Sequence, residues 1–275
     1  MDIFNMLFPW LCAVFGLIVG SFLNVVIVRR GKKTLGGRSE CPHCHTQLHW
    51  YELVPVISFL AQKGVCRSCK KNISSQYILV ELLSAGIFFI SGVYLQYIIT
   101  PIHPILSIIA TCSFLTIVTY GILISVYDSK TKIVPTSWFI GMVVSSIVFL
   151  ITYYSMIGFY FPSLLPHIIG IIICLPFLFL WIISDGRWMG FADIELIAWI
   201  GLYMGTVSGI MTVLSAFYIG AIFGILFLGN NIVFRKSYTS LRSVQIPFAP
   251  FLIGAWFFNV IFSWNLFSLI TSLFM

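Results

Sequence analysis

The sequence predicts an all-α polytopic membrane protein with about eight transmembrane helices, and its composition is the main reason. Hydrophobic residues occupy 60% of the 275 positions and charged residues only 8%. The mean hydropathy of +1.04 is far above that of a chain with a water-facing surface. At about 20 residues per span, the apolar residues are numerous enough for about eight spans. Disordered, collagen-like, coiled-coil and secreted disulfide-rich proteins are excluded.

The first apolar run covers 3–28 and is followed by Arg29 and Arg30. This order reverses that of a secretory signal peptide, in which the basic residues come first. We therefore interpret the run as a retained anchor with its N-terminus outside. A polar insert at 29–76 separates it from the second span.

The other seven predicted spans follow the polar insert. They lie near 77–99, 105–127, 134–157 and 164–184, twice within 194–234, and near 247–274. The stretch 194–234 is too long for one span and has a single charge, Glu195. The glycine-containing segment 205–209 is the natural turn between its two spans.

The fifteen basic residues provide an independent check on this count. Nine lie in the loop after span one, two after span three, one after span five and three after span seven. All therefore fall on the same side of the membrane, which the positive-inside rule identifies as the cytoplasm. Both termini are predicted to lie outside. The net charge of +7 has this topological explanation, so no nucleic-acid partner is predicted.

Four of the seven cysteines form two C-x-x-C pairs in the polar insert, Cys41 with Cys44 and Cys66 with Cys69. Two such pairs can direct four thiolates to one tetrahedral zinc ion at about 2.3 Å, as in a zinc ribbon. Disulfides rarely persist in the cytoplasm, where the insert is predicted to lie. Because four sulfur ligands leave no open coordination position, the predicted role of the zinc is structural.

The remaining cysteines and the histidines of the insert receive no chemical role. Cys12, Cys112 and Cys174 lie inside apolar runs, where a cysteine is usually a small buried apolar residue. His43, His45 and His49 are interpreted as solvated neighbours of a site that four cysteines already complete.

Two carboxylates at predicted membrane boundaries are the candidate catalytic groups. Asp128 ends span three and Asp193 opens span six, both on the cytoplasmic side. Charged residues beside spans are costly and often functional. Two carboxylates at one depth can share a proton and activate water, as in aspartic proteases. Helix capping and a transporter's cation site are the alternatives, although capping does not explain an aspartate at a helix C-terminus.

Five segments in this order give the chain a resemblance to the type IV prepilin peptidases, a family of membrane aspartic proteases. The resemblance covers nearly the whole chain. The segments are Gly-Ser-Phe-Leu-Asn at 20–24, the C-x-x-C pairs flanking Trp-Tyr-Glu-Leu-Val-Pro at 50–55, Asp128 with Pro135, Gly-Phe-Ala-Asp at 190–193, and Pro-Phe-Ala-Pro-Phe at 247–251.

The resemblance implies cleavage of leader peptides from prepilin or pseudopilin substrates, with Asp128 and Asp193 as catalytic residues. It also implies N-methylation of the new amino terminus with S-adenosylmethionine, in a bacterial inner or plasma membrane, with the active site at the cytoplasmic face. Residues 1–100 would form the anchor with the zinc module, associated with methyl transfer, and residues 101–275 the membrane-embedded peptidase domain.

Two positions depart from the family pattern, in which a second glycine precedes the aspartate and a lysine follows two residues after it. Here these positions hold Ala192 and Glu195. Alanine is small enough to preserve the turn, whereas Glu195 reverses the local charge and is a candidate to alter the titration of the acids. Asp185, in a predicted turn before Gly186, is not expected to take part in catalysis.

Several alternatives stay open from the sequence. The chain could be a peptidase without methyltransferase activity, an ion-coupled transporter, or a non-catalytic assembly factor. Within the peptidase hypothesis, the opposite polarity of the two helix termini predicts that Asp193 begins as the base and Asp128 as the acid.

Overall fold

The structure is a computed structural model that describes residues 3–30, 37–99, 103–158, 164–235 and 247–273. The chain forms two compact units, Met1–Pro101 and Ile102–Met275. Its described residues are helical apart from turns and two isolated β-bridges, which confirms the predicted all-α class. Four basic residues used above for the orientation lie outside the described residues: Lys32, Lys33, Lys236 and Arg242.

The first unit contains two long helices with the polar insert between them. Its helices are α1 (Ile3–Arg29), a 3₁₀ turn (Trp50–Glu52), the short α2 (Ile57–Ala61) and α3 (Gln76–Ile98).

Close packing of α1 against α3 depends on glycines. A Cβ atom on Gly16 would lie 2.7 Å from Phe88 Cβ, and one on Gly20 would lie 2.8 Å from Ser84 Oγ. Neither space admits a larger side chain. Small residues at such crossings let helix backbones approach closely within a membrane.

The second unit contains the remaining helices. They are α4 (Pro104–Thr131), α5 (Thr136–Met156), α6 (Leu165–Gly170), α7 (Leu175–Ile183), α8 (Phe191–Met204), α9 (Thr206–Arg235) and α10 (Ala249–Leu273). A short 3₁₀ segment, Ile171–Cys174, joins α6 to α7, so the predicted fifth span is an interrupted helix. The interruption precedes Pro176, whose ring nitrogen cannot donate the usual helical hydrogen bond.

Six helical segments among the described residues are long and apolar enough to cross a membrane. They are Met6–Arg29, Gln76–Ile98, Pro104–Thr131, Thr136–Met156, Leu165–Ile183 and Thr206–Leu226. The sixth predicted span corresponds to α8, whose 14 residues extend about 21 Å, less than the ~30 Å hydrocarbon core. The eighth corresponds to α10, whose described apolar part is Ala249–Phe262.

The turn between α8 and α9 is shorter than predicted. It consists of Gly205, while Thr206 already begins α9. Gly205 has a φ of +77°, a conformation that glycine adopts without strain. A single glycine is therefore sufficient where the sequence suggested a turn over 205–209.

An aromatic core fixes α8 within the second unit. Trp199 of α8 packs on Trp256 of α10 with ring centroids 4.9 Å apart, and Tyr203 lies 5.2 Å from the same Trp256 ring. The Trp199 indole N–H donates a 2.8 Å hydrogen bond to Ser146 Oγ of α5. These contacts set the position of α8 and so of the aspartate in its first turn.

Candidate active site and cysteine cluster

The four predicted zinc ligands come together in the first unit. The sulfur atoms of Cys41, Cys44, Cys66 and Cys69 all lie within 4.8 Å of one another, and the Cys41 and Cys69 sulfurs are 3.9 Å apart. A tetrahedron of thiolates at about 2.3 Å from zinc has edges of about 3.8 Å. The cysteines are free thiols, as the prediction requires. The cluster can therefore hold one metal ion.

Each cysteine pair lies in a knuckle with the same backbone hydrogen bonds. In the first, the Cys41 N–H donates to Thr46 O (3.0 Å) and the His45 N–H to Cys41 O (2.9 Å). In the second, the Cys66 N–H donates to Lys71 O (2.9 Å) and the Lys70 N–H to Cys66 O (3.0 Å). The insert is thus a pair of equivalent turns that meet at their sulfur atoms.

The equivalence extends to the residue after each second cysteine. His45 and Lys70 have φ values of +57° and +58°, a left-handed conformation that turns the chain back after the sulfur. His45 also lies 3.5 Å from Glu40 Oε1 through its Nδ1 atom, while His49 stacks on Tyr51. These two histidines are therefore accounted for by contacts other than the sulfur cluster.

Hydrogen bonding and burial differ among the four sulfurs of the cluster. Hydrogen bonds with Thr46, first through its side chain and then through its backbone, lower the pKa of Cys44 to about 6. Although a hydrogen bond with the Lys71 backbone opposes the change, burial and the neighbouring cysteine side chains raise the pKa of Cys69 to about 11. Cys41 and Cys66 are buried, with exposed fractions of 5% and 6%. Cysteine binds a metal ion in its deprotonated, thiolate form.

A second polar cluster in the first unit was not predicted from the sequence as a group. Glu81 of α3 is buried and accepts a 2.8 Å hydrogen bond from the Val56 N–H, and it is also bonded to the Ser21 side chain. Asn24 of α1 donates to Tyr77 O at 3.1 Å. The 20–24 motif and Val56, the residue after the 50–55 motif, therefore contact the same helix, α3.

Asp128 lies in the last turn of α4 and is 6% exposed. One of its carboxylate oxygens, Oδ2, accepts a 3.3 Å hydrogen bond from the backbone N–H of Ala249. Ala249 is the first residue of α10, where unpaired N–H groups and the helix dipole favour an anion. Lys132, which follows the last residue of α4 in a left-handed conformation, also acts electrostatically on this carboxylate.

Asp193 is the third residue of α8 and is half-buried. The backbone N–H of Gly190 donates to its carboxylate, while the Asp193 N–H donates to Gly190 O at 3.1 Å. The charge of Asp128 acts on Asp193, so the two predicted carboxylates lie within electrostatic range in the second unit. Each is held by a backbone N–H at the beginning of a helix.

The two departures from the family pattern have simple structural positions. Ala192 is the second residue of α8 and adopts ordinary helical geometry, which requires no glycine. Glu195 follows Asp193 by two residues, which is a rotation of about 200° around the helix. Glu195 therefore points away from the side of α8 on which Asp193 lies.

Asp185 is exposed and lies in the turn between α7 and α8. Its φ of +49° and its 3.5 Å contact with Arg187 are features of a surface turn.

The segment Pro-Phe-Ala-Pro-Phe at 247–251 is what brings α10 to Asp128. Phe248 packs on Phe217 of α9 with ring centroids 4.8 Å apart, and Phe251 lies 5.3 Å from Phe223. A Cβ atom on Gly220 of α9 would lie 3.1 Å from the Phe248 ring, so the absence of a side chain at this position lets the ring pack closely against α9. The motif was recognised in the sequence, but its contact with Asp128 was not predicted.

Two family models match the chain. The model of the Bacterial Peptidase A24 N-terminal domain matches residues 14–95, and that of the Type IV leader peptidase family matches residues 114–225. Together the two matches cover most of the chain. No solved structure matches it.

Curated relatives agree with the family models. A "Prepilin leader peptidase/N-methyltransferase" of Myxococcus xanthus is 48% identical over 88 residues, which is 31% of this chain and 26% of that protein. Proteins of the same name from Stutzerimonas stutzeri and Aeromonas salmonicida are 27% and 28% identical. Their matches cover 90% of this chain and 88% and 90% of those proteins. The chain therefore belongs to the type IV leader peptidase family.

Proposed function

We propose that this chain is a multi-pass membrane aspartic endopeptidase that removes the leader peptide of type IV prepilin-like proteins. The observation that supports this most directly is the pair of carboxylates at Asp128 and Asp193. They come from different helices, act on each other electrostatically, and are each held by a backbone N–H. The relatives named prepilin leader peptidase/N-methyltransferase support the same substrate class.

The chemistry follows from the pair. One carboxylate accepts a proton from a water molecule, whose oxygen attacks the scissile carbonyl carbon. The other carboxylate, which is protonated, donates its proton to the carbonyl oxygen. Proton transfer to the amide nitrogen then lets the C–N bond break. Asp193, at a helix start, is half-buried, whereas Asp128 is 6% exposed, so Asp193 is the more accessible of the two carboxylates. We assign Asp193 to the water on this basis.

The basic residues support an orientation with the active site at the cytoplasmic face of a bacterial inner membrane and both termini outside. All fifteen basic residues belong to loops on one side of the predicted topology. Asp128 at the end of α4 and Asp193 at the start of α8 belong to that same side. Substrates would be prepilins and pseudopilins with leaders in the cytoplasm.

The peptidase proposal is tested with the purified full chain in nanodiscs and a prepilin substrate. We expect Asp128→Asn and Asp193→Asn each to abolish cleavage, because either change removes one partner of the proton transfer. Asp185→Asn is the matched control, since Asp185 is an exposed aspartate that contacts Arg187. Full cleavage by either active-site variant, or loss of cleavage in the control, would contradict the assignment.

We propose methylation of the new amino terminus as a second activity of residues 1–100, with residues 101–275 as the peptidase domain. S-adenosylmethionine would supply the methyl group through cleavage of its S–CH3 bond and would leave as S-adenosylhomocysteine. An amine must lose a proton before it can be methylated, and buried oxygen acceptors suit that requirement. The first unit offers the Glu81 carboxylate, which can take this proton, and the Asn24 side-chain oxygen, which can accept a hydrogen bond from the amine. Among the described residues this oxygen is buried and has no hydrogen-bond partner.

Methylation is tested with a radiolabelled methyl donor and the Glu81→Gln variant. Glutamine preserves an oxygen that can accept the Val56 N–H but removes the negative charge. Loss of methyl transfer with retained cleavage and retained metal would support a chemical role for Glu81. Methyl transfer at the wild-type rate would remove Glu81 from the proposal, and absence of methylation in the wild type would favour a peptidase alone.

A further inference from the structure

The segment between the two cysteine knuckles exposes several large apolar side chains. Exposed fractions are 79% for Trp50, 67% for Ile57 and 62% for Leu60, with Leu53 at 41%. Ile57 and Leu60 are three residues apart on α2 and so lie on the same side of this short helix. A metal module surrounded only by water has no need for this apolar surface.

One hydrogen bond fixes the depth of this segment relative to a membrane span. The Val56 N–H donates to Glu81 Oε2 at 2.8 Å. Glu81 lies five residues after the first residue of α3, Gln76, which is about 7.5 Å along the helix axis. Part of the segment 50–61 therefore lies at the same depth as the first turns of α3.

The side chains of α3 at this level are suited to lipid. Leu79, Leu82 and Leu83 are 62%, 50% and 51% exposed on a helix that is long and apolar enough to cross the membrane. Exposed leucines on a spanning helix face hydrocarbon. The apolar side chains of 50–61 are thus level with the beginning of the lipid-facing surface.

The charges around the segment are complementary to anionic lipid. Nine basic and two acidic residues lie within 29–76. Lys63, Lys70 and Lys71 are exposed. One of the two acidic residues, Glu52, accepts the His49 N–H at 2.9 Å. Tryptophan among lysines is the composition that favours a membrane interface near anionic headgroups.

We propose that residues 50–61, here called the interfacial segment, lie in the cytoplasmic membrane interface against anionic lipid. Trp50, Ile57 and Leu60 enter the boundary between headgroups and hydrocarbon, and the lysines of the second knuckle contact the headgroups. The segment is tied to the membrane on both sides, because α1 ends at Arg29 and α3 begins at Gln76. The cysteine cluster thereby lies on the membrane surface.

The test uses the full chain labelled with 5-fluorotryptophan in nanodiscs containing phosphatidylglycerol. The chain has eight tryptophans, and the Trp50→Phe variant identifies the Trp50 fluorine resonance by its absence. We expect lipid with a nitroxide near the headgroup to broaden this resonance beyond detection, and a water-soluble gadolinium chelate to affect it little. Broadening by the chelate but not by the lipid would overturn the proposal.

Two further arms test the apolar and the anionic parts of this contact separately. Ile57→Gln with Leu60→Gln should move Trp50 toward the aqueous reagent, whereas Gln47→Ala, an exposed change on the first knuckle, should not. Nanodiscs of phosphatidylcholine alone should weaken the lipid effect, and an unchanged effect would refute the role of anionic headgroups. If Trp50 responded to added prepilin and not to lipid, the surface would be a protein-binding site and the proposal wrong.

Discussion

Replacing Cys66 by serine should remove zinc from the protein and open both cysteine knuckles. Cys66 is buried, and its N–H and O atoms close the second knuckle through Lys71 and Lys70. The four sulfurs already lie within 4.8 Å of one another, against about 3.8 Å in a zinc tetrathiolate, so binding needs sulfur shifts of less than about 1 Å. A hydroxyl ligand would replace one of the four thiolates.

The energetic consequence is large because metal binding and folding are coupled in small sites. Structural zinc contributes about 10–16 kcal/mol of apparent binding free energy in isolated zinc-finger peptides at neutral pH. The insert contains only a 3₁₀ turn and a five-residue helix besides its knuckles. Little else in it can replace the stabilisation that the metal provides.

Metal analysis, X-ray absorption and hydrogen exchange together measure the effect. The wild type should contain about one zinc per chain with four sulfur ligands at about 2.3 Å. Cys66→Ser should lose the zinc to a chelator, and the backbone amides at positions 66 and 70 should exchange faster than in the wild type. Cys112→Ser is the matched control, because Cys112 is a free cysteine of α4 that is exposed, where the sequence predicted a buried residue. Prepilin cleavage should persist, since the peptidase residues belong to the other compact unit.

Two results would refute this reasoning. Wild-type zinc content in Cys66→Ser would show that Cys66 is not a ligand. An X-ray absorption spectrum of the wild type that required a nitrogen ligand would show that a histidine of the insert replaces one of the sulfurs.

Two other changes test the geometry of the two units. Because Glu195 points away from Asp193, Glu195→Lys should leave both limbs of the pH profile of prepilin cleavage unmoved, and a shift of either limb would place Glu195 in the site. A profile that is flat across the acidic and neutral range would contradict the carboxylate pair itself. Gly16→Ala should lower the thermal stability of the first unit, because its Cβ would lie 2.7 Å from Phe88. Gly86→Ala, with nothing within 4 Å, should not, and equal effects of the two would show that the α1 and α3 backbones do not approach as described.

The helices were predictable from the sequence because membrane spans have a strong local signal. Length and apolar composition alone placed each predicted run on helical structure, although the run at 164–184 is divided between α6, a 3₁₀ segment and α7. The cysteine cluster was predictable because the C-x-x-C spacing brings two sulfurs together within each turn. The interruption in 164–184 and the one-residue turn at Gly205 were not predicted, because each depends on a local hydrogen-bond arrangement that apolar composition does not specify.

Contacts between distant segments were the main part that the sequence could not supply. The hydrogen bond from Ala249 to Asp128 joins residues more than 100 positions apart, and neither residue type predicts the other. The bond between Val56 and Glu81 is similar, since it follows from how the insert folds against α3. A motif identifies such a segment, but only the packing of helices shows what it contacts.

The contact with Ala249 changes the argument about the roles of the two acids. From the sequence, Asp128 lies only at the negative end of its own helix, so helix polarity distinguishes it from Asp193. In the structure, Asp128 also lies at the positive end of α10, just as Asp193 lies at the positive end of α8. Helix polarity therefore no longer distinguishes which of the two carboxylates is the charged one. The exposed fraction still distinguishes them, because Asp193 is half-buried and Asp128 is 6% exposed, and this difference supports the proposed assignment of Asp193 to the attacking water.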